Sequence, residues 1–126
     1  MWGVLNADSS MYLHIIASPS CHFKKLDKIE IKKIFLKKRQ YIKGEFIIVL
    51  DNPQKKIYKK FVYSYLHKTI REIKAYWMRM LFTGKKIPPA TLSVAKLKAY
   101  NDNICYITYI NKGIIFENWH ELKIMR

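Results

Sequence analysis

Residues 69–89 read TIREIKAYWMRMLFTGKKIPP and predict one helix together with the signal that begins it. Thr69 and Glu72 stand three residues apart, which is the capping-box pattern: the hydroxyl accepts a backbone N–H of the first turn, and the carboxylate reaches back to the cap. Apolar residues then recur at intervals of three and four, as on the buried face of a helix: Ile70, Ile73, Trp77, Met80 and Leu81. We therefore expect an amphipathic helix with Trp77 in the middle of its core-facing side.

The same stretch contains the residues that end this helix. Gly84 readily adopts the left-handed conformation of a helix C-terminus, and Pro88 with Pro89 prevents the helix from continuing. Lys85 and Lys86 place positive charge near the negative end of the helix dipole. The helix is thus predicted to end at about Gly84.

Two strands and two helices are predicted before this stretch. Residues 11–17 (MYLHIIA) and 46–50 (FIIVL) are apolar runs typical of buried strands, and the second is typical of a central parallel strand. A helix over residues 26–36 has a capping box at Asp27 and Glu30. The next helix is expected to have Asn52 as its N-cap and Pro53 at its first position. Its inward side chains are expected to be Ile57, Phe61, Val62 and Tyr65. Its outward side chains are expected to be Lys55, Lys56, Lys59 and Lys60.

The remaining patterns lie beyond Pro89. Ser93 caps a predicted short helix, residues 104–110 (ICYITYI) form a further apolar strand, and residues 114–125 are expected to add one or two short strands. Alternation of strands and helices in this order is typical of α/β folds. We therefore predict an α/β fold: a single three-layer lobe with a mostly parallel sheet flanked by helices.

The chain is strongly basic. Of its 126 residues, 24 are Lys or Arg and 9 are Asp or Glu, for a formal net charge of +15. Residues 24–60 hold 13 of the basic residues and 4 of the acidic ones, so the excess is concentrated in the first half. Such a field attracts nucleic acid, acidic lipid and acidic proteins alike. Because half of the residues are hydrophobic, the composition excludes a disordered chain.

The length fits one domain at residues 11–126, preceded by a flexible segment at residues 1–10. The first seven residues, MWGVLNA, are mostly apolar and end in Ala, so they are either a signal-peptide remnant or a frayed terminus. A remnant implies a periplasmic protein, and a frayed terminus leaves the cytoplasm as the alternative. No apolar run approaches the length needed to span a membrane.

The cysteines and histidines show no metal-binding pattern. Cys21 and Cys105 have neither C-x-x-C spacing nor histidines at zinc-finger distances. We expect two separate buried thiols, with a disulfide as the alternative. The sequence also lacks G-x-S-x-G, P-loop, G-x-G-x-x-G and H-E-x-x-H motifs. The expectation is a protein that is not an enzyme and that uses neither a cofactor nor a metal.

Several blocks resemble the phosphate ABC-transporter substrate-binding proteins, which have the type 2 periplasmic-binding-protein fold. Tyr76-Trp77, Phe82-x-Gly84 and Pro88-Pro89 together resemble the "yW…F.G…P" block of that family. Three further blocks resemble its "v.i.a.p" strand, its "iFlGk" and its I-G-Y, in the same order: Ala17-Ser18-Pro19, Ile34-Phe35-Leu36 and Ile104-Cys105-Tyr106. The resemblance implies a single lobe of a two-lobed, periplasmic-binding-protein-like fold.

The resemblance also implies an anion site, although the matching residues differ. The family binds phosphate with an Arg and a Ser-Gly-Thr at the N-terminus of the helix after the second strand. Residues 52–56 (NPQKK) stand there in this chain, and Pro53 lacks a backbone donor. Lys37 stands where the family has the glycine of its first helix. The anion-binding residues implied by the likeness are Ser18, Ser20, Asn52, Gln54, Lys55 and Lys56.

Three functions follow as hypotheses. The leading one is a non-enzymatic, binding-protein-like domain of the bacterial envelope that binds a protein or envelope partner or an anionic group such as phosphate. The first alternative is a basic nucleic-acid-binding protein, because positive charge with interleaved aromatic residues suits phosphate contact and base stacking. Phe35, Phe61 and Trp77 have core spacing, which argues against it. The second alternative is the phosphate-binding component of an ABC transporter, acting with a second chain that closes the site.

Overall fold

The computed structural model describes residues 12–93, 103–111 and 118–126. The helices in these ranges are α1 Lys28–Phe35, α2 Lys55–Leu66 and α3 Ile70–Phe82. The strands are β1 His14–Ala17, β2 Lys25–Asp27, β3 Tyr41–Ile42, β4 Glu45–Asp51, β5 Ala90–Thr91, β6 Cys105–Ile110, β7 His120–Glu121 and β8 Lys123–Met125. The predicted flexible segment at residues 1–10 and the body of the helix predicted after Ser93 lie outside the described residues.

The main sheet is mixed. Its strand order is β3-β4-β6-β1-β7, and β5 also pairs with β4. β4 is parallel to β5 and β6, whereas β1 is antiparallel to β6 and β7, and β3 is antiparallel to β4. The α/β class is confirmed, but the prediction of a mostly parallel sheet is wrong. The apolar sequence of β1 did not reveal its direction, because a strand buried on both faces has the same composition in either orientation.

The two faces of this sheet contribute to different apolar clusters. Side chains alternate along a strand, so Ile47 and Val49 join the large core cluster, which also contains side chains from all three helices. Ile48 and Leu50 instead join a small cluster with Tyr106. In the described part of the chain the helices therefore cover one face of the sheet.

α3 begins and ends as its sequence predicts. The Thr69 hydroxyl accepts the N–H of Glu72 at 3.1 Å, and Glu72 Oε1 accepts the N–H of Thr69 at 2.8 Å. Gly84 has a left-handed backbone with φ of 67°. The capping box and the glycine therefore fix the helix bounds to within two residues.

The buried face of α3 is rotated slightly from the predicted one. Ile73 and Trp77 are buried as expected, but Leu81 is 50% exposed and Tyr76 is buried in its place. The Tyr76 hydroxyl donates to the carbonyl oxygen of Leu36 at 2.7 Å. This hydrogen bond fixes the C-terminal end of α1 against α3.

The first two helices begin later than predicted. Asp27 is the N-cap of α1, as its capping box indicates, but residues 25–27 form β2, which pairs in parallel with β8. The N-cap of α2 is Gln54 rather than Asn52. The side-chain oxygen of Asn52 accepts the N–H of Gln54 at 2.8 Å, and its amide nitrogen donates to the carbonyl of Tyr109 at 2.9 Å. Because Asn52 forms a turn of its own, the helix starts beyond it.

Cys21 and Cys105 form a disulfide, so the expectation of two separate thiols is wrong. It joins the loop after β1 to the first residue of β6. The Cα atoms are 4.7 Å apart although the cysteines are separated by 84 positions in the sequence. Pairing of β1 with β6 brings them together, and their spacing in the sequence contains no sign of that pairing.

Candidate anion-binding groove

The structure divides the six predicted anion-binding residues between two edges of the main sheet. Ser18 follows β1, and Ser20 lies in the turn after it. Residues 52–56 follow β4. Because β1 is antiparallel to β6 and β4 is parallel to it, the carboxyl ends of β1 and β4 lie at opposite edges. Ser18 and Ser20 therefore do not share a site with Asn52, Gln54, Lys55 and Lys56.

The hydrogen-bonding groups of Ser18 are used by the backbone of β6 and its approach. Ser18 is 4% exposed. Its hydroxyl accepts the N–H of Tyr106 at 2.8 Å and donates to the carbonyl of Ile104 at 3.2 Å. A hydroxyl has one proton to donate, so Ser18 holds the strand in place and has no proton left for an anion.

The residues that follow β4 provide exposed charge rather than a closed site. The amide of Asn52 is used within its turn. Gln54, Lys55 and Lys56 are exposed at the start of α2. Neighbouring helical residues point about 100° apart, since 3.6 residues make a turn, so the Lys55 and Lys56 side chains diverge. The first turn of α2 thus has no pair of lysines aimed at one anion.

A partly buried carboxyl lies immediately before these residues. Asp51 Oδ1 accepts the hydroxyl proton of Tyr109 at 2.8 Å, and the fully buried Tyr109 ring stacks on Phe61 with centroids 3.8 Å apart. Burial raises the pKa of Asp51 to about 6, more than the Tyr109 hydrogen bond and the Lys37 charge lower it. Burial and the Asp51 charge also raise the pKa of Tyr58 to about 12. This edge of the sheet therefore has a carboxyl whose pKa is raised well above the usual value for Asp.

Lys37 is the basic residue whose charge lowers the pKa of Asp51. It follows α1 with a left-handed backbone, φ 58°, and its N–H donates to the carbonyl of Ile34 at 3.1 Å. Burial lowers the pKa of Lys37, and the charge of Asp51 opposes that shift. Lys37 is thus held at the end of α1, where it is partly buried and interacts electrostatically with Asp51.

Lys37 also lines an open groove between the C-terminal ends of α1 and α3. The groove has a volume of about 350 Å³, and we call it the basic groove; it is lined by Lys37, Gln40, Leu81, Gly84, Lys85, Lys86 and Ile87. Three of these side chains are positively charged, and none of these lining residues is acidic. The backbone N–H of Lys85 donates to the carbonyl of Met80 at 3.0 Å, which fixes the chain as it leaves α3. Cationic groups at the ends of two helices, together with the amide of Gln40, form a surface suited to an anion.

Sequence reasoning identified the lysines of the basic groove only as charges that end helices. Each basic run follows its own helix, and nothing in the sequence joins them. Their approach depends on how the end of α1 lies against α3, which the hydrogen bond from Tyr76 to Leu36 fixes. The only signal in the sequence was the pair of basic runs, one after each of two amphipathic helices.

The fold and the groove define a mixed α/β domain with an open basic surface. No protein-family model, curated protein or solved structure matches the chain. Among the described residues, no group of three or more His, Cys, Asp or Glu side chains is placed to hold a metal ion. In the same part of the chain, none of the helices is both long and apolar enough to cross a membrane.

Proposed function

We propose that the protein is a small, non-enzymatic binding domain that holds an anionic group in the basic groove. The observation that carries this proposal is the convergence of Lys37, Lys85 and Lys86 on one groove that has no acidic lining residue. Gln40 adds a neutral amide, which can donate a hydrogen bond to an anion. The proposal keeps the anion-binding function expected from the sequence and moves its site from the start of α2 to the ends of α1 and α3.

The openness of the groove limits the ligand. A free phosphate ion in an open groove stays hydrated, and salt screens the attraction of flexible lysines. We therefore expect an affinity for inorganic phosphate no tighter than roughly millimolar, which is about 4 kcal/mol. A larger partner that presents anionic groups benefits from several lysines at once. A transport role would require a second chain that closes the site.

Two observations support a place in the bacterial envelope. The disulfide between Cys21 and Cys105 is typical of oxidising compartments such as the periplasm. Lys37 has a positive φ at the position where the phosphate-binding family has a glycine, and a glycine adopts such a backbone most easily. Both fit the proposal of a single periplasmic-binding-protein-like lobe.

The test compares two triple variants with the same change in net charge. Isothermal titration measures the binding of a short polyphosphate. The triple variant Lys37→Gln, Lys85→Gln, Lys86→Gln is expected to bind it more weakly by roughly tenfold or more, because each surface charge contributes up to about 1 kcal/mol. The control replaces Lys55, Lys56 and Lys59 by Gln on α2. Equal losses in both variants would show that only net charge matters, and the proposal would fail.

A second candidate function is nucleic-acid binding through α2. Its outward side carries Lys55, Lys56, Lys59 and Lys60, all exposed, and Tyr63 is 69% exposed. An exposed tyrosine beside lysines suits base stacking with phosphate contact. Phe35 and Phe61 are buried and take no part in such contacts. Weak duplex binding, on the order of 10⁻⁴–10⁻⁶ M and steeply salt-dependent, is expected of any basic surface; selective binding that survives high salt would favour this candidate.

A further inference from the structure

The outward side of α3 is apolar at positions where a helix on a protein surface is usually polar. Phe82 is 90% exposed and Met78 is 61% exposed. These two residues are four positions apart, so they lie on one side of the helix. Phe82 is nine positions after the buried Ile73, which places it on the opposite side from the core. Ile87, which lines the basic groove just beyond the helix, is also exposed, at 65%.

Basic side chains surround these apolar ones. Arg71, Lys74 and Arg79 are exposed on α3, and Lys85 and Lys86 follow it. The one acidic residue in the α3 sequence is Glu72. Its carboxylate accepts the N–H of Thr69 in the capping box, at the far end of the helix from Phe82. The outward surface around Phe82 is therefore both apolar and positively charged.

We propose that this surface, which we call the α3 docking surface and define by Arg71, Lys74, Met78, Phe82, Lys85 and Ile87, binds the face of an anionic lipid bilayer. A bilayer of acidic lipids supplies negative charge and hydrocarbon in one plane, which matches a helix side with both features. α3 has 13 residues and is therefore about 20 Å long, too short to cross the bilayer core. The helix lies on the surface, with Phe82 and Met78 inserted and the basic side chains among the headgroups.

The docking surface meets the basic groove at the end of α3. Leu81, Lys85, Lys86 and Ile87 line that groove, so a bilayer under Phe82 brings lipid phosphates to its mouth. In this respect the inference deepens the proposed function, because it names acidic lipid headgroups as the anionic groups. The insertion of Phe82 does not depend on the groove, so the two proposals are tested separately.

α2 provides a matched control. Its outward side has more lysines than that of α3, and its exposed aromatic residue is Tyr63. If binding required only positive charge and one exposed aromatic ring, α2 would serve as well as α3. Docking through α3 instead requires the two apolar side chains of Phe82 and Met78. The exposed aromatic residue of α2, Tyr63, carries a polar hydroxyl.

The experiment is flotation of the intact protein with vesicles of phosphatidylcholine alone or mixed equally with phosphatidylglycerol. We expect binding to the mixed vesicles only. Phe82→Ser is expected to lower partitioning by roughly tenfold, and Lys85→Gln with Lys86→Gln by about fivefold for each charge removed. Tyr63→Ser is expected to leave partitioning unchanged, and Lys59→Gln with Lys60→Gln to lower it less than the Lys85 and Lys86 pair does. Circular dichroism melts check that the variants remain folded.

Several results would overturn the docking proposal: no binding to the mixed vesicles, equal losses in Phe82→Ser and Tyr63→Ser, or equal losses in the two lysine pairs. Titration with soluble glycerol phosphate and with polyphosphate separates it from the proposed function. If Phe82→Ser no longer binds vesicles but still binds polyphosphate, both proposals stand. If wild-type protein binds vesicles through Phe82 but no soluble anion, the docking proposal stands and the basic groove is not an anion site.

Discussion

At one edge of the main sheet, where β1 ends and β6 begins, the Ser18 hydroxyl is hydrogen-bonded to Tyr106 and Ile104, and the disulfide lies beside them. At the other edge, where β4 and β6 end, Asp51 is partly buried and accepts a hydrogen bond from Tyr109, and burial raises its pKa to about 6. The first edge uses its polar groups for the fold. The second keeps a titratable carboxyl, that of Asp51. Lys37, which has a left-handed backbone and lines the basic groove, interacts electrostatically with that carboxyl.

This difference separates residues that stabilise from residues that are available for binding. Both edges contain the polar residue types from which the sequence predicted an anion site. Burial and hydrogen bonding distinguish them, since a buried hydroxyl whose proton is already donated cannot serve a ligand, whereas Gln54, Lys55 and Lys56 are exposed. Four predictions test the distinction, from the largest expected effect to the smallest.

Removal of the disulfide should have the largest effect. Cys21 and Cys105 close a loop with a sequence separation of 84, for which the chain-entropy description gives roughly 4.6 kcal/mol and removal of native disulfides typically costs about 2–5 kcal/mol. Urea melts of the double variant Cys21→Ala, Cys105→Ala measure the loss. Wild-type protein under strong reductant is the control and should lose a similar amount. A loss below about 1 kcal/mol in both would show that this edge does not depend on the covalent link.

Asp51→Asn should change how stability depends on pH. Burial raises the folded-state pKa from 3.8 to about 6, so the folded state binds the proton more tightly than the unfolded state does. The favourable contribution of the carboxyl is then complete below pH 3.8 and is lost as pH rises through 6. At 1.36 kcal/mol for each pKa unit, the loss approaches about 3 kcal/mol.

The neutral amide of Asn keeps an acceptor for the Tyr109 hydroxyl but does not titrate. Relative to wild type, Asp51→Asn should gain stability between about pH 4 and pH 7.5, by up to about 3 kcal/mol. Denaturant melts across that range provide the measurement, and Asp27→Asn at the cap of α1 is the control for loss of a carboxylate elsewhere. Parallel stability curves for wild type and Asp51→Asn would contradict the prediction that burial controls this carboxyl.

The sequence predicted local features well and their assembly poorly. The capping box of Thr69 and Glu72, the left-handed Gly84 and the strand predicted at residues 46–50 depend on neighbouring residues. All are present in the structure, where the strand is Glu45–Asp51. The direction of β1 and the disulfide depend on the antiparallel pairing of β1 with β6. Pairing of segments about 90 positions apart is not recorded in local periodicity. The basic groove was missed for the same reason, because its lysines follow two different helices.

Ser18→Ala should lower stability by about 1–3 kcal/mol. The change leaves the buried N–H of Tyr106 without its acceptor, and an unsatisfied buried donor costs that amount. Thermal or urea melts measure the loss. Ser64→Ala, a partly buried serine on α2, is the control and should change stability by no more than about 0.5 kcal/mol. An equally small change in Ser18→Ala would contradict the inference that this serine stabilises the fold.

Lys37→Gly should separate backbone strain from charge at the opposite edge. Lys37 has φ of 58°, a conformation that costs a residue with a Cβ roughly 1–2 kcal/mol and glycine very little. Lys37→Gly should therefore be more stable than Lys37→Ala by about 1 kcal/mol, although both lack the amine. Both should bind polyphosphate more weakly than wild type, because both lose a cation of the basic groove.

Lys43→Gly is the matched control: Lys43 also has a left-handed backbone, with φ of 51°, but does not line the groove. It should gain similar stability with much smaller loss of anion affinity. If Lys43→Gly weakens polyphosphate binding as much as Lys37→Gly does, the position of Lys37 in the groove has no special importance, and the contrast between the two edges would rest on net charge alone.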